Sequence, residues 1–423
     1  MTITMPTSKA PQNMSSDSFK PLLLKLMNTP GRFTPDDTRA AMHHLATHGC
    51  VLPAQAGAFL AALKSSRIEH LPETLAAAAE VMREYAVPVP LADQDVCAVD
   101  IVGTGGDGHN TFNVSTTAAI VAAGAGARVV KHGNKASTSS SGSADILLAL
   151  GCPLAPPPSE PTPLPNKPFT FLLAAHHHPA LTSLAPIRKA LPFRTIFNVL
   201  GPLVNPAAPK RMILGVYTRE LGPVFAETLR GMGVERALVV CGMESLDEIS
   251  IAGMGVERAL VVCGMESLDE ISIAGGTWAW SLENGDITTT TLHPSHFELK
   301  SHPLSTVAGA SPETNARMLI DILDPNTPCN SPTDSTPAPT EGVTSDPGAI
   351  LDFVLMNASA LLVVAGLAPD YPTGVKLARE SIKSGRAWEA LKEFRERDKA
   401  RSKGGIGGAL TEELGGKTDL LKD

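Results

Sequence analysis

DIVGTGGDGHNTFNVSTTAAIVAAGAGARVVKHGNKASTSSSGSADILLALG, residues 100–151, is the stretch whose reading decides the fold. AVDIVG, at 98–103, is a short apolar run that ends in glycines, the pattern of a buried strand followed by tight turns. Residues 115–125 are rich in Ala, Ile and Val and predict a helix; ARVVKHG, at 127–133, predicts a second strand, and 143–150 a second helix. Strand, glycine loop, helix and strand in that order define a βαβ unit and a parallel sheet. Ligands of such sheets bind outside the carboxyl ends of the strands, and both strands here run into loops dense in glycines, hydroxyls and cations.

The first loop, GTGGDG, satisfies GxGxxG through Gly103, Gly105 and Gly108. A dinucleotide site would also need an acid at the end of the second strand, about 20 residues on; Arg128 and Lys131 stand there instead. The physics survives a change of ligand, because glycines let backbone N–H groups approach phosphate oxygens and the following helix presents its positive end. Asn113, Ser115 and Thr116 add amide and hydroxyl groups at that helix start, where ordinary capping is the competing explanation. The second loop brings Lys131, His132 and a run of hydroxyls. Two adjacent loops of this chemistry predict a diphosphate cradle. Downstream, the acid pair Asp247–Glu248 and its duplicate Asp269–Glu270 follow the strand pattern ALVVCG. Paired carboxylates on a loop suit Mg²⁺, which favours carboxylate, water and phosphate oxygens. His176–His178 offer no partner ligands at metal spacing, and successive helical residues diverge by roughly 100°.

Outward from this core, the 423-residue chain has room for two or three domains. A net charge of −8 argues against nucleic acid or an anionic membrane as the main partner. The six scattered cysteines contain no CxxC pair and read as reduced thiols of a cytoplasmic protein. No signal peptide and no membrane span are predicted. Residues 1–17 are polar and expected to be a disordered tail. Helical patterns at 19–28, 34–48, 52–64 and 72–85 predict a small all-helical domain over 18–90, with helices from about 175–190 packing on it. Thr34 with Asp37 three residues on is an N-cap signal. A large α/β domain with a mainly parallel central sheet is expected over 96–174 and 191–400. It carries Pro-rich insertions at 153–168 (eight prolines) and 324–348, and the tail follows from 401 to 423. Further strands are expected at 169–174, 211–217 and 236–240, and a hairpin at 277–282 and 286–292 around Glu-Asn-Gly. Helices are expected at 179–190, 221–231, 313–323, 349–365 and from about 371 to 396.

GMGVERALVVCGMESLDEISIA occurs twice in tandem, at 231–252 and 253–274. Two copies do not make a solenoid. A fold that needs one copy must loop the other out, and the expectation is that 231–252 is extruded between a helix end and the next strand.

GTGGDGHNTFNVSTTAA, KHGNKASTSSSGSAD, HHHPALTSLAPIRKAL, RTIFNVLGPLVNP and the Asp-Glu loop, in this order, resemble the anthranilate phosphoribosyltransferase family from about Phe19 to Glu396. The resemblance implies transfer of the 5-phosphoribosyl group from phosphoribosyl pyrophosphate to the amine of anthranilate, with Mg²⁺, in a homodimer joined through the helical domain. It places Gly103 between the two substrates and Gly106, Asp107, Thr111, Asn113, Val114, Ser115 and Thr116 on phosphoribosyl pyrophosphate. Lys131, His132, Gly133, Asn134, Lys135, Ala136, Ser137, Thr138 and Ser139 form the second phosphate loop, with Ser143 nearby. Asn134 and Arg188 hold anthranilate. Ser115 and Asp269–Glu270, or the copies Asp247–Glu248, hold the metal, and Lys131 and Ser115 are the expected catalytic groups. Lys135 departs from the family's usual Arg, and the Pro-rich 153–168 replaces a helix. A pyrimidine nucleoside phosphorylase, a nucleic-acid-binding relative of the fold, and an enzyme disabled by the duplication are the weaker readings; the HGN loop, the acidic charge, and the retained Lys131, Asn134 and Arg188 speak against the first two.

Overall fold

The computed structural model describes residues 14–91, 97–136, 139–158, 160–243, 268–326 and 345–404. Four helices open the chain: α1 (Ser16–Asn28), α2 (Pro35–Ala46), α3 (Pro53–Ser65) and α4 (Pro72–Glu84). The α1 helix begins at Ser16, capped by Ser15, so the ordered chain starts earlier than the polar composition suggested. The Thr34 signal is realised as a capping box with Asp37, which also takes an ion pair from Lys25 of α1 at 2.6 Å. Phe19, Phe33 and Phe59 meet at the centre of this bundle.

The α/β part follows as β1 (Ala98–Gly103), α5 (Val114–Gly124), β2 (Arg128–Gly133), α6 (Ser143–Ala149), β3 (Phe169–Leu173), α7 (Ala174–His177), α8 (Ala185–Ala190), α9 (Ile196–Leu200), β4 (Arg211–Gly215), α10 (Leu221–Gly231) and β5 (Arg236–Gly242). Then come β6 (Thr277–Glu283), β7 (Asp286–Leu292), α11 (Pro312–Leu323), α12 (Pro347–Ala365), α13 (Tyr371–Lys383) and α14 (Arg386–Gly404). One seven-stranded sheet runs β3-β2-β1-β4-β5-β6-β7. Strands β1 to β5 pair in parallel, and the β6–β7 hairpin adds antiparallel to β5. Its turn is the Asn284–Gly285 pair, both at positive φ, as an Asn-Gly hairpin turn requires.

Alternation along the strands divides the core in two. Val99, Ile101, Ile213, Leu238 and Val240 face α5, α6 and α11 to α14. Met212, Leu214, Ala237, Val239 and Cys241 face the helical bundle, α9 and α10. Leu184 just before α8, with Ile187 and Leu191, joins the bundle side of that second core. The 19-residue helix α12 is apolar all round and long enough to cross a membrane, yet most of it is buried between α5, α13 and the sheet, the setting of a core helix.

The structure departs from expectation at several ends. Residues 179–190 form a 3₁₀ segment followed by α8, not one helix. The stretch expected to be helical from 371 to 396 breaks at Gly385, in the left-handed region at φ 74°, and α14 continues to Gly404, into the expected tail. The 324–348 insertion is shorter than expected, because Asp346 caps α12. The largest correction concerns the repeat. The first copy is not extruded before the strand: its Arg236–Gly242 is β5, paired with β4 and β6 on both sides. The fold then uses the second copy from Leu268 onward, where Gly242 N–H donates to the Leu268 carbonyl at 2.7 Å. This strand sits between β4 and β6, and the first copy reaches that place directly from α10. Asp247, Glu248, Ser137 and Thr138 lie outside the described residues.

Candidate active site

Strands β1, β2, β4 and β5 all end on one edge of the sheet. Gly103 and Gly215 are register partners there. A Cβ at either would collide with Asp269, at its carboxylate for Gly103 and its backbone carbonyl for Gly215. The two glycines therefore make the gap through which the acidic loop reaches the first glycine loop. Gly105 N–H donates to Asp269 Oδ2 at 2.6 Å, and Thr111 Oγ1 donates to Glu270 Oε2 at 3.2 Å. Asp107 stands on the other side of Asp269, its Oδ2 3.5 Å from the Asp269 amide nitrogen.

Behind the acids lies Lys131 on β2, 2% exposed. Its Nζ donates to the Ile101 carbonyl and lies 3.4 Å from Ser115 Oγ. Burial lowers its pKa, opposed by Asp100, Glu270 and Asp269. The acids respond in the opposite sense. Burial and then the charge of Asp107 push Asp269 up to about 7; burial and both neighbouring aspartates hold Glu270 well above the usual range. Asp107 is raised by burial. Asp107 and Asp269 thus repel Glu270, with Lys131 the cation that opposes them, and a divalent cation would relieve that repulsion. The donor set of carboxylates and a serine hydroxyl fits Mg²⁺. Among the described residues no three His, Cys, Asp or Glu side chains converge as a ready-made ligand set, because Asp269 and Glu270 turn toward Gly105 and Thr111. The hydroxyls of Thr104, Thr116 and Ser141 around the loops are buried without a hydrogen-bond partner among the described residues.

The structure thus brings together Gly103, Asp107, Thr111, Ser115, Lys131, Asp269 and Glu270 from the expected set, with Gly106 in the same loop and Thr116 in the first turn of α5. Val114 opens α5. His132 and Gly133 finish β2, with His132 buried edge-on against His178 at 5.2 Å. Asn134, Lys135, Ala136 and Ser139 form the second loop, with Asp145 Oδ2 accepting from the Ala136 and Gly142 amides at 2.7 and 2.9 Å. Ser143 begins α6. Arg188 stands on α8, its guanidinium 5.4 Å from the Phe197 ring centre. A cavity of about 320 Å³ between Pro157, Pro161, Leu172 and Phe394 lies beside edge strand β3, away from these loops.

Three polar residues near the site were not singled out from the sequence. Arg194 donates to the Gly106 carbonyl and lies 4.1 Å over Tyr217. Asn205 bridges Asp100 Oδ2 and the Val130 carbonyl, both at 2.9 Å. Asn315, fully buried, donates to Asn113 Oδ1 at 2.9 Å. Each works through contacts distant in sequence; for Arg194 and Asn205, only the RTIFNVLGPLVNP stretch they occupy was a signal.

A helical bundle leading into a mainly parallel sheet, with buried acids and glycine- and hydroxyl-rich loops at the carboxyl ends of its strands, is the architecture of a glycosyl-transfer class. The helical-bundle domain of the glycosyl transferase family matches residues 20–86, and its α/β domain matches 95–255 and 250–388, two segments that overlap inside the repeat. Within that class the chain belongs to the anthranilate phosphoribosyltransferase family. It is 43% identical to anthranilate phosphoribosyltransferase of Schizosaccharomyces pombe, over 85% of this chain and 91% of the relative. It is 38% identical to that of Polynucleobacter asymbioticus, over 85% and 92%. Among solved structures, the Saccharomyces cerevisiae enzyme in complex with PRPP and Mg superposes with TM-score 0.73 at 32% identity, covering 92% of this chain and 99% of that one. The same enzyme with 4-fluoroanthranilate gives 0.74 at 31% identity, with the same coverage.

Proposed function

We infer that this chain transfers the 5-phosphoribosyl group from phosphoribosyl pyrophosphate to anthranilate, giving N-(5-phosphoribosyl)anthranilate and pyrophosphate in tryptophan biosynthesis. One observation carries the reading: Asp269 and Glu270 of the second repeat copy stand against Gly105 and Thr111 of the first loop, with Lys131 behind them. That arrangement supports a site for a diphosphate and its cation, in a chain whose relatives are named for this activity.

The residues then divide the work. The N–H groups of the first loop and of the α5 N-terminus bind the diphosphate. Lys131 offsets charge as pyrophosphate departs and the ribosyl C1 becomes oxocarbenium-like. Asp269, Glu270 and Ser115 would hold Mg²⁺, which when bound supplies further positive charge beside the leaving group. Asn134 and Arg188 hold anthranilate, the guanidinium pairing with its carboxylate. The aromatic amine is neutral at working pH and attacks from the face opposite the leaving group, inverting the centre, so positioning and electrostatics replace a strong base. A homodimer through the helical domain is supported by Leu24, Met27, Leu52 and Leu71, large apolar side chains exposed on the bundle. A cytoplasmic setting is supported by the free thiols of Cys50, Cys97 and Cys152.

The test is a variant with Asp269→Asn and Glu270→Gln, combined with Asp247→Asn and Glu248→Gln so that the duplicate pair cannot substitute. Turnover at limiting Mg²⁺ should fall by about 100-fold or more. An unchanged Mg²⁺ dependence overturns the assignment.

A further inference from the structure

Asn113 stands immediately before α5, where an asparagine is among the best helix caps, yet its side chain makes no capping bond. Both ends of the amide are engaged elsewhere. Its Nδ2 donates to the Ser141 carbonyl of the second loop at 2.8 Å, and its Oδ1 accepts from Asn315 Nδ2 at 2.9 Å. Asn315 comes from the first turn of α11, on the far side of the cleft in sequence, and is fully buried. Its own Oδ1 accepts from the Ala310 amide at 2.9 Å, which fixes the chain before α11.

That preceding stretch, 307–310, runs as a strap across both phosphate-facing loops. Phe112 N–H donates to the Val307 carbonyl at 2.9 Å, and Gly309 N–H to the Asn110 carbonyl at 2.6 Å. Asn110 Nδ2 returns a bond to the Gly309 carbonyl at 2.9 Å. Ser140 of the second loop reaches Asn110 Oδ1 and the Ala310 carbonyl, both 2.7 Å from its Oγ. A Cβ at Gly309 would collide with the Thr111 carbonyl, so the strap lies flat on the first loop.

We propose that Asn315 is a positioning residue for diphosphate binding: it holds the Asn113 amide away from α5, leaving the helix's first N–H groups open to the ligand, while the strap before it locks the two loops together. The energetic reason is competition. The first N–H groups of a helix have no partner within the helix, and a released Asn113 side chain would cap them and take the place of a phosphate oxygen. The inference rests on the phosphoribosyl-transfer reading for its substrate, but not for its anion.

The experiment compares Asn315→Ala and Ser140→Ala with the wild type, varying phosphoribosyl pyrophosphate and anthranilate separately and recording Tm. Asn315→Ala should raise KM for phosphoribosyl pyrophosphate by about tenfold, the equivalent of one lost hydrogen bond to a charged group, with KM for anthranilate within about twofold. A rise confined to that KM is one that a merely structural role of Asn315, which would lower Tm and touch both substrates, would not produce. Ser140 is exposed, so Ser140→Ala keeps the fold and should raise the same KM by about threefold through the loosened strap. An unchanged KM for phosphoribosyl pyrophosphate in Asn315→Ala and Ser140→Ala overturns the proposal. Should Asn315→Ala fail to fold, the Ser140→Ala result decides. Calorimetric binding of inorganic pyrophosphate with Mg²⁺ reads the same end of α5 without turnover. A weaker pyrophosphate affinity in the variants supports the inference even if the wild type does not transfer to anthranilate, and equal affinity overturns it.

Discussion

Asp100 shows how much the chemistry of this site depends on groups that never meet the substrate. It is fully buried on β1, accepting from Asn205 Nδ2 and from the His132 amide, with Lys131 as its nearest cation. Burial pushes its pKa up to about 6, with Lys131 pulling the other way. An acid raised on folding binds its proton more tightly in the folded state, so it lowers stability as pH rises from the unfolded to the folded pKa. Wild type should therefore lose up to about 3 kcal/mol relative to Asp100→Asn between about pH 4 and pH 6, with no further change above. Denaturant unfolding of both proteins across that range checks it, and parallel curves would show that Asp100 does not titrate in this window. Residues such as Lys131, Asp107 and Ser115 were legible in the sequence because glycine, hydroxyl and charge crowd into one stretch. Asn205, Arg194 and Asn315 were not, because a lone amide or guanidinium acquires its role only when the fold delivers it to a partner about 75 to 200 positions away.

At the scale of elements, the strand ends set the site. Gly103 and Gly215 leave room for Asp269 between adjacent strands, and neither can carry a side chain without moving the acidic loop. Gly215→Ala should lower kcat/KM by about 100-fold, since a displacement of about 1 Å in catalytic groups costs that much. Unfolding midpoints should separate this from global damage; retention of full activity would place Asp269 outside the working site. The strand periodicity and the Asn-Gly hairpin were readable because a two-residue repeat and a positive-φ turn leave plain marks. The ends of α13 and α14 were not, because Gly385 interrupts a pattern whose apolar spacing continues on both sides. The seating of Arg188 over Phe197 likewise depends on how α8 packs on the bundle, which no local pattern encodes.

For the whole molecule, the repeat poses a threading problem that identical copies make unreadable from sequence. Any 22-residue window removed from the repeat restores the same chain, so only tertiary pairing selects which residues serve. The fold takes Arg236–Gly242 from the first copy and Asp269–Glu270 from the second. Between Met243 and Leu268 the connection is therefore 24 residues, where a single copy would leave two. Deleting 244–265 joins Met243 to Glu266 and keeps every described residue. It should leave kcat and both KM values within about twofold and raise stability by about 2 kcal/mol through cheaper loop closure. A deletion variant that loses activity would show that the second copy is needed for more than one metal loop. The most direct test of the central claim is the fluorescence of anthranilate mixed with the purified full chain, phosphoribosyl pyrophosphate and Mg²⁺. The account predicts a decay that needs all three components and releases one pyrophosphate per anthranilate consumed; steady fluorescence with the full mixture, from a folded protein, would contradict it.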